Sequence, residues 1–165
     1  MSSTEFIFCG KIRGQGRPKA AKTRNGHVHI YEDSRDKDYK RAITESYLAQ
    51  CGTTYISAPA PVSVTIYIQR HLPKQYQRKT ERIEQPDTMT PDADNVAKAV
   101  LDALNGLAYT DDAQVVDLHV VKLPRVATVD NLDHMLVHVA SVPRLIAQNL
   151  ERVYNERMNH ETVRD

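Results

Sequence analysis

Residues 90–122 read TPDADNVAKAVLDALNGLAYTDDAQVVDLHVVK. Val96, Val100, Ala103, Leu104 and Leu107 recur at helical spacing and predict an amphipathic helix with one buried face. Pro91 and the aspartates open that helix, and Asn105-Gly106 ends it. Val115, Val116, Leu118, Val120 and Val121 then predict a strand. Upstream, VSVTIYI at 62–68 is a β-branched strand preceded by Pro59 and Pro61. Strand, helix, strand is the unit from which a layered α/β sheet is built.

The same stretch carries Asp92, Asp94, Asp102, Asp111, Asp112 and Asp117 against two cations, Lys98 and Lys122. Crowding anions in this way costs Coulomb energy, which a bound divalent cation offsets. Helix capping and an acidic turn account for one or two of these residues, not for all. Asp94, Lys98 and Asp102 are four residues apart and share a helix face. If the following strand runs back beside the helix, Asp111 and Asp112 are expected near Asp94. Two or three converging carboxylates suit Mg²⁺ or Mn²⁺, which prefer oxygen ligands. Such a site activates water and neutralises a phosphate transition state. Lys98 can support the phosphate or orient water; the bland alternative is an i,i+4 pair with Asp94.

Outward from this centre, 165 residues suit one domain spanning 1–165 with a real core. No apolar run is long enough for a bilayer and no leader opens the chain, so a cytoplasmic protein is expected. Cys9 and Cys51 form neither a metal knuckle nor a disulfide framework, and reduced, partly buried thiols are expected. Net charge is only +1, but it is segregated. Lys11, Arg13, Arg17, Lys19, Lys22 and Arg24 come without an intervening acid; Arg70, Lys74, Arg78, Lys79 and Arg82 face Glu81 alone. Basic arms around an acidic centre suit a polyanion held at the rim of a metal site.

Phe6, Ile7, Phe8 and Ile12 predict a first strand, which Gly10, Gly14, Gly16 and Pro18 break into a mobile basic loop over 10–24. Residues 27–31 alternate like a short strand or hairpin arm. Ser34 can cap a helix to about Gln50, with Tyr39, Ala42, Ile43 and Tyr47 on one face and Gly52 past its end. Residues 71–91 lack periodicity and predict a long flexible loop. Leu132, Met135, Leu136, Val137 and Val139 predict the last strand. A C-terminal helix over about 142–160 would carry Leu145, Ile146, Leu150, Val153, Tyr154 and Met158. The expected fold is an α/β layer with a mixed sheet packed with helices.

Competing motifs fit poorly. Asp92-Ala-Asp94-Asn-Val96 matches an aspartate-phosphatase pattern in form, but DTMTP precedes it rather than a buried strand. An EF-hand needs Gly and Glu where Ala97 and Ala103 stand. GQGRPK lacks the ending of a Walker A loop. His27-x-His29 and His134-x₃-His138 offer strand-face ligands, yet no cysteine or third histidine accompanies them at zinc spacing.

PDADNVAKAVLDALNG followed by YTDDAQVVDLHVVK resembles the RusA family of Holliday junction resolvases. The match runs without a shift from Pro91 to Lys122, and a weaker one covers the N-terminal strand, Gly-rich loop and helix. The resemblance implies a homodimeric, Mg²⁺-dependent endonuclease that nicks two opposed strands of a four-way DNA junction. It implies metal ligands at Asp92, Asp94 and Asp112, with Asp111 the less certain neighbour, and a catalytic lysine at Lys98. Thr90 stands where many members have a basic residue. The DNA path is not set by motif; Arg13, Arg17, Lys19, Lys22 and Arg24 are candidate phosphate contacts, as are Arg78 and Lys79 in the long loop. The alternatives are a nuclease for flaps or forks, a non-catalytic DNA-binding relative, and a metal phosphatase. Cutting two opposed strands calls for two matched sites, hence a two-fold dimer.

Overall fold

A computed structural model describes residues 2–16, 19–22, 25–31, 33–76 and 86–142. Strand β1 (Ser3–Cys9) is followed by the hairpin strands β2 (Lys19–Lys22) and β3 (Val28–Tyr31), then helix α1 (Ser34–Cys51) and strand β4 (Val62–Gln69). Helix α2 (Ala93–Leu104), strand β5 (Val115–Lys122) and strand β6 (His134–Ser141) complete the described elements. The main sheet has the order β1-β6-β4-β5. β6 pairs antiparallel with both β1 and β4, whereas β4 and β5 are parallel. The sheet is therefore mixed, as the sequence predicts.

Alternation along the strands puts Phe6, Phe8, Val62, Val64, Ile66, Ile68, Met135, Val137 and Val139 in one core. α1 adds Tyr39, Ile43 and Tyr47, and α2 adds Val96, Val100 and Leu104. Each such aliphatic side chain contributes roughly 1.5–3 kcal/mol by leaving water. The rings of Phe6 and Tyr47 meet edge to face at 5.5 Å, and those of Phe8 and Tyr39 at 5.4 Å, which seats α1 over β1. Gln50 closes the outer edge of β1: its amide accepts from Ile7 N at 2.9 Å and donates to Ile7 O at 2.8 Å. No helix among the described residues is long and apolar enough to cross a membrane.

Several expectations change. α1 is capped by Asp33, whose carboxylate accepts from Arg35 N at 3.0 Å, rather than by Ser34. The expected basic loop contains β2, paired with β3. Its first part also makes hydrogen bonds to both helices. Gln15 N donates to Asn95 O at 2.9 Å, and Gly16 N donates to Asp36 Oδ2 at 3.1 Å. The expected flexible loop over 71–91 packs against the fold at both described ends. Leu72 is buried and bonds Val126 O at 2.7 Å, while Asp87 is buried near the far end. Cys9 is exposed rather than partly buried, because Phe6 and Phe8 take the core face of β1. The expected C-terminal helix over about 142–160 lies almost wholly outside the described residues.

Candidate active site

The parallel pair β4 and β5 holds the entry to α2. Lys122, the last residue of β5, donates from Nζ to Pro91 O at 3.0 Å and also to Met89 O. Arg70, immediately after β4, donates to Met89 O at 3.3 Å and to Thr90 O. Two cations at the carboxyl ends of two parallel strands thus fix the backbone from which Asp92 and Asp94 project. Open α/β sheets characteristically bind ligands at this end. Gly14 packs on the same place: a Cβ there would fall 2.8 Å from Asn95 Cβ and 3.3 Å from Pro91 Cβ. Arg13 is thereby carried beside the helix N-terminus.

Behind this entry lies a buried ion cluster. Asp87 Oδ2 is 3.2 Å from Arg70 Nη1 and 3.0 Å from Arg125 Nε, and Oδ1 accepts from Met89 N at 3.1 Å. The Arg125 contact is an ion pair without good hydrogen-bond alignment. Burial pushes the Asp87 carboxyl up, but Arg125, the Met89 N–H and the charge of Arg70 outweigh it and hold the carboxyl below its ordinary value. Arg70 and Arg125 also line a cleft of about 310 Å³ together with Lys11, His71 and Asp133.

The six aspartates of the 90–122 stretch divide evenly. Asp102 accepts from Gln15 Nε2 at 2.9 Å and lies 3.7 Å from Lys40 Nζ. Asp111 caps the short turn Asp112–Gln114 by accepting from Ala113 N at 2.8 Å. Asp117 accepts from Ser63 Oγ at 2.9 Å and lies 3.0 Å from His119 Nε2. Asp92, Asp94 and Asp112 are exposed, and their carboxylates have no hydrogen bond or ion pair to the described residues. Asp92 is the helix N-cap by backbone geometry, yet its side chain makes no capping bond. Lys98 is also exposed and forms no ion pair with Asp94, so the i,i+4 reading of that pair is not realised.

These groups do not all meet in one chain. β5 does run back beside α2, but Asp112 precedes β5 and so stands at the far end of the helix. Tyr109 makes the connection: its hydroxyl donates to Leu101 O at 3.1 Å. Burial first, then the charges of Asp112 and Asp102, keep that hydroxyl protonated. Seven residues separate Asp94 from Leu101, about 10 Å along a helix axis. Asp92 and Asp94 are together at one end; Asp112 is not with them, contrary to expectation. Among the described residues no trio drawn from these carboxylates brings its oxygens within 4.8 Å.

The donor chemistry nonetheless fits a hard cation. Two neighbouring carboxylates without a partner among the described residues, with water and a substrate phosphate completing the shell, are a usual Mg²⁺ set. Of the expected DNA contacts, Lys19 and Lys22 lie on β2. Arg17, Arg24, Arg78 and Lys79 lie outside the described residues. The sequence reading missed the clamping roles of Arg70 and Lys122 and the cluster around Asp87. Only the lysine ending the strand at 122 left a readable trace.

Residues 10–129 match the family model described as Endodeoxyribonuclease RusA. The chain is also 35% identical over 128 residues to the uncharacterized protein YqaN of Bacillus subtilis (strain 168), covering 74% of this chain and 88% of that protein. With its mixed sheet, its helix pair and a family match over most of its length, the chain belongs to the RusA endodeoxyribonuclease family.

Proposed function

We propose that this protein is a Mg²⁺-dependent endodeoxyribonuclease that resolves four-way DNA junctions by paired symmetric nicks, acting as a homodimer. The observation that carries this reading is the partition of the aspartates. Other protein groups hydrogen-bond or pair with Asp102, Asp111 and Asp117, while Asp92, Asp94 and Asp112 have no partner among the described residues and are open to a ligand. Asp92 and Asp94 would hold the ion. When bound, Mg²⁺ supplies positive charge at the scissile phosphodiester and assists ionisation of water.

Lys98, one turn beyond Asp94 and without an ion pair among the described residues, offers its ammonium to the phosphate as negative charge develops on it. The clamp by Arg70 and Lys122 keeps the two carboxylates in fixed register, which preserves the geometry through turnover. Arg13, Lys19 and Lys22, with Arg17 and Arg24, supply phosphate contacts; these set affinity and salt dependence rather than sequence choice. Asp112 joins the site across the dimer: one chain contributes Asp92 and Asp94, and its partner contributes Asp112. A two-fold dimer then presents two complete sites to a two-fold junction.

Cleavage of a labelled four-way junction tests the reading. Paired nicks in Mg²⁺, abolished by EDTA, are expected. Flaps and forks in the same panel decide the substrate, because only paired symmetric nicks constitute resolution. Mixing Asp94→Asn with Asp112→Asn chains tests the shared site. Heterodimers recover single-strand nicking if the carboxylates act across the dimer and stay inactive if they act within a chain. Junction binding without cleavage under any divalent ion would leave a DNA-binding protein instead.

A further inference from the structure

A second cluster of metal-ligand side chains lies apart from the aspartates. Cys9, Asp130 and His134 each offer one donor atom, and all three donors lie within 4.8 Å of one another. Two of them are brought together by sheet register: Cys9, ending β1, is the cross-strand partner of His134, opening β6. Directly opposed residues on antiparallel strands hold their Cβ atoms about 4.5–5.5 Å apart on the same sheet face. The third comes from the turn before β6. Asp130 Oδ1 accepts from Leu132 N at 3.0 Å, which leaves Oδ2 directed at His134 Nε2, 2.8 Å away. Thr128 Oγ1 donates to Leu132 O at 2.9 Å and Asn131 adopts a φ of 58°, so this turn is held from within. Gly10 N donates to Asp133 O at 2.9 Å and extends the strand pairing to the turn itself.

We propose that Cys9, Asp130 and His134 form a binding site for one borderline divalent cation of the Zn²⁺ class. Thiolate, imidazole and carboxylate are three of the usual zinc donors, and a thiolate selects Zn²⁺, Co²⁺ or Cu over Mg²⁺. Zinc bond lengths of about 2.0–2.3 Å put tetrahedral ligands about 3.3–3.7 Å apart. The cluster reaches that by opening the 2.8 Å Asp130–His134 contact slightly and adjusting the Cys9 side chain, a change within side-chain rotation. Water fills the fourth position. Cys9, Asp130 and His134 fall just outside residues 10–129, so the family match assigns them nothing. A bound ion would fasten the end of β1 to the turn before β6, at the root of the loop whose Gly14 packs on the entry to α2.

Co²⁺ titration of the reduced, metal-stripped full chain tests this. The expected result is a thiolate-to-cobalt charge-transfer band in the near ultraviolet, with an intensity that corresponds to one cysteine-ligated Co²⁺ per chain, whether or not further Co²⁺ binds at Asp92 and Asp94. Cys9→Ser abolishes the band, while Asp94→Asn leaves it intact. His134→Gln weakens Zn²⁺ binding by at least about tenfold in competition with a chromophoric chelator. In the unmodified protein, Zn²⁺ protects Cys9 from alkylation and Mg²⁺ does not; this arm stands even if a variant folds poorly. No charge-transfer band, a band that survives Cys9→Ser, or alkylation of Cys9 at the same rate with Zn²⁺ would each overturn the proposal.

Discussion

Asp87 and Asp94 are seven residues apart and live in opposite circumstances. Asp87 is buried, and two arginines and a backbone N–H surround its carboxylate. Asp94 is exposed in the first turn of α2, with no partner among the described residues. The first charge is neutralised by the fold, so it serves stability. The second is not neutralised by anything described, so it costs a little stability and is available to an ion. The pair teaches that an aspartate-rich stretch is sorted by asking which carboxylates the protein itself satisfies.

The comparison breaks most visibly in activity. Asp94→Asn is expected to lower junction cleavage in Mg²⁺ by about 10²–10³-fold or more, the usual cost of deleting one electrostatic group at a reacting centre. Its melting temperature should stay level or rise, because one of several like charges is gone. A large fall in melting temperature would move Asp94 to the structural side. Asp87→Ala should do the reverse. Removing one partner of a buried pair leaves Arg70 and Arg125 uncompensated, at about 3 kcal/mol or more. That corresponds to a melting temperature lower by roughly 6–12 °C in a domain of this size. Retained thermal stability in Asp87→Ala would remove the distinction.

Gly14→Ala is next in size. Its Cβ would meet Asn95 Cβ at 2.8 Å, so the loop or the N-terminus of α2 must shift, at about 1–3 kcal/mol. Cleavage should fall along with stability, since that shift moves Asp92 and Asp94. A variant with altered stability but full activity would show that the loop does not position the site. Asp102→Asn should cost about 1 kcal/mol or less, because its partners Gln15 and Lys40 are partly exposed.

The pH dependence has a definite sign. Asp87 has a folded value below its unfolded one, so its contribution is complete above the ordinary carboxylate range. It is lost as pH falls below that range through the lowered folded value. Acid melts of wild type and Asp87→Ala should therefore converge as pH falls and separate toward neutrality; a gap that widens in acid would reverse the assignment.

Much of this was legible in the sequence. Val96, Val100 and Leu104 announced α2 by spacing, and the alternation of Val62, Val64, Ile66 and Ile68 announced β4. Both signals are local, because periodicity reports which face meets the core. The Asp92–Lys122 pattern also identified the family before any geometry was known. What stayed hidden depends on residues far apart in the chain. Nothing near Asp87 announces Arg125, and nothing near Cys9 announces His134. The place of Asp112 at the far end of α2 follows from β4 and β5 being parallel. The loop glycines looked like a sign of mobility, whereas Gly14 and Gly16 allow close backbone approach to α2 and α1.

The most direct measurement is Mn²⁺ binding, counted by the loss of the free-ion paramagnetic resonance signal, for wild type, Asp94→Asn and Asp102→Asn at matched folding. Wild type and Asp102→Asn are expected to bind the ion, and Asp94→Asn is expected to lose it. Binding retained in Asp94→Asn but lost in Asp102→Asn would contradict it, because the ion would then depend on a carboxylate that the protein already satisfies.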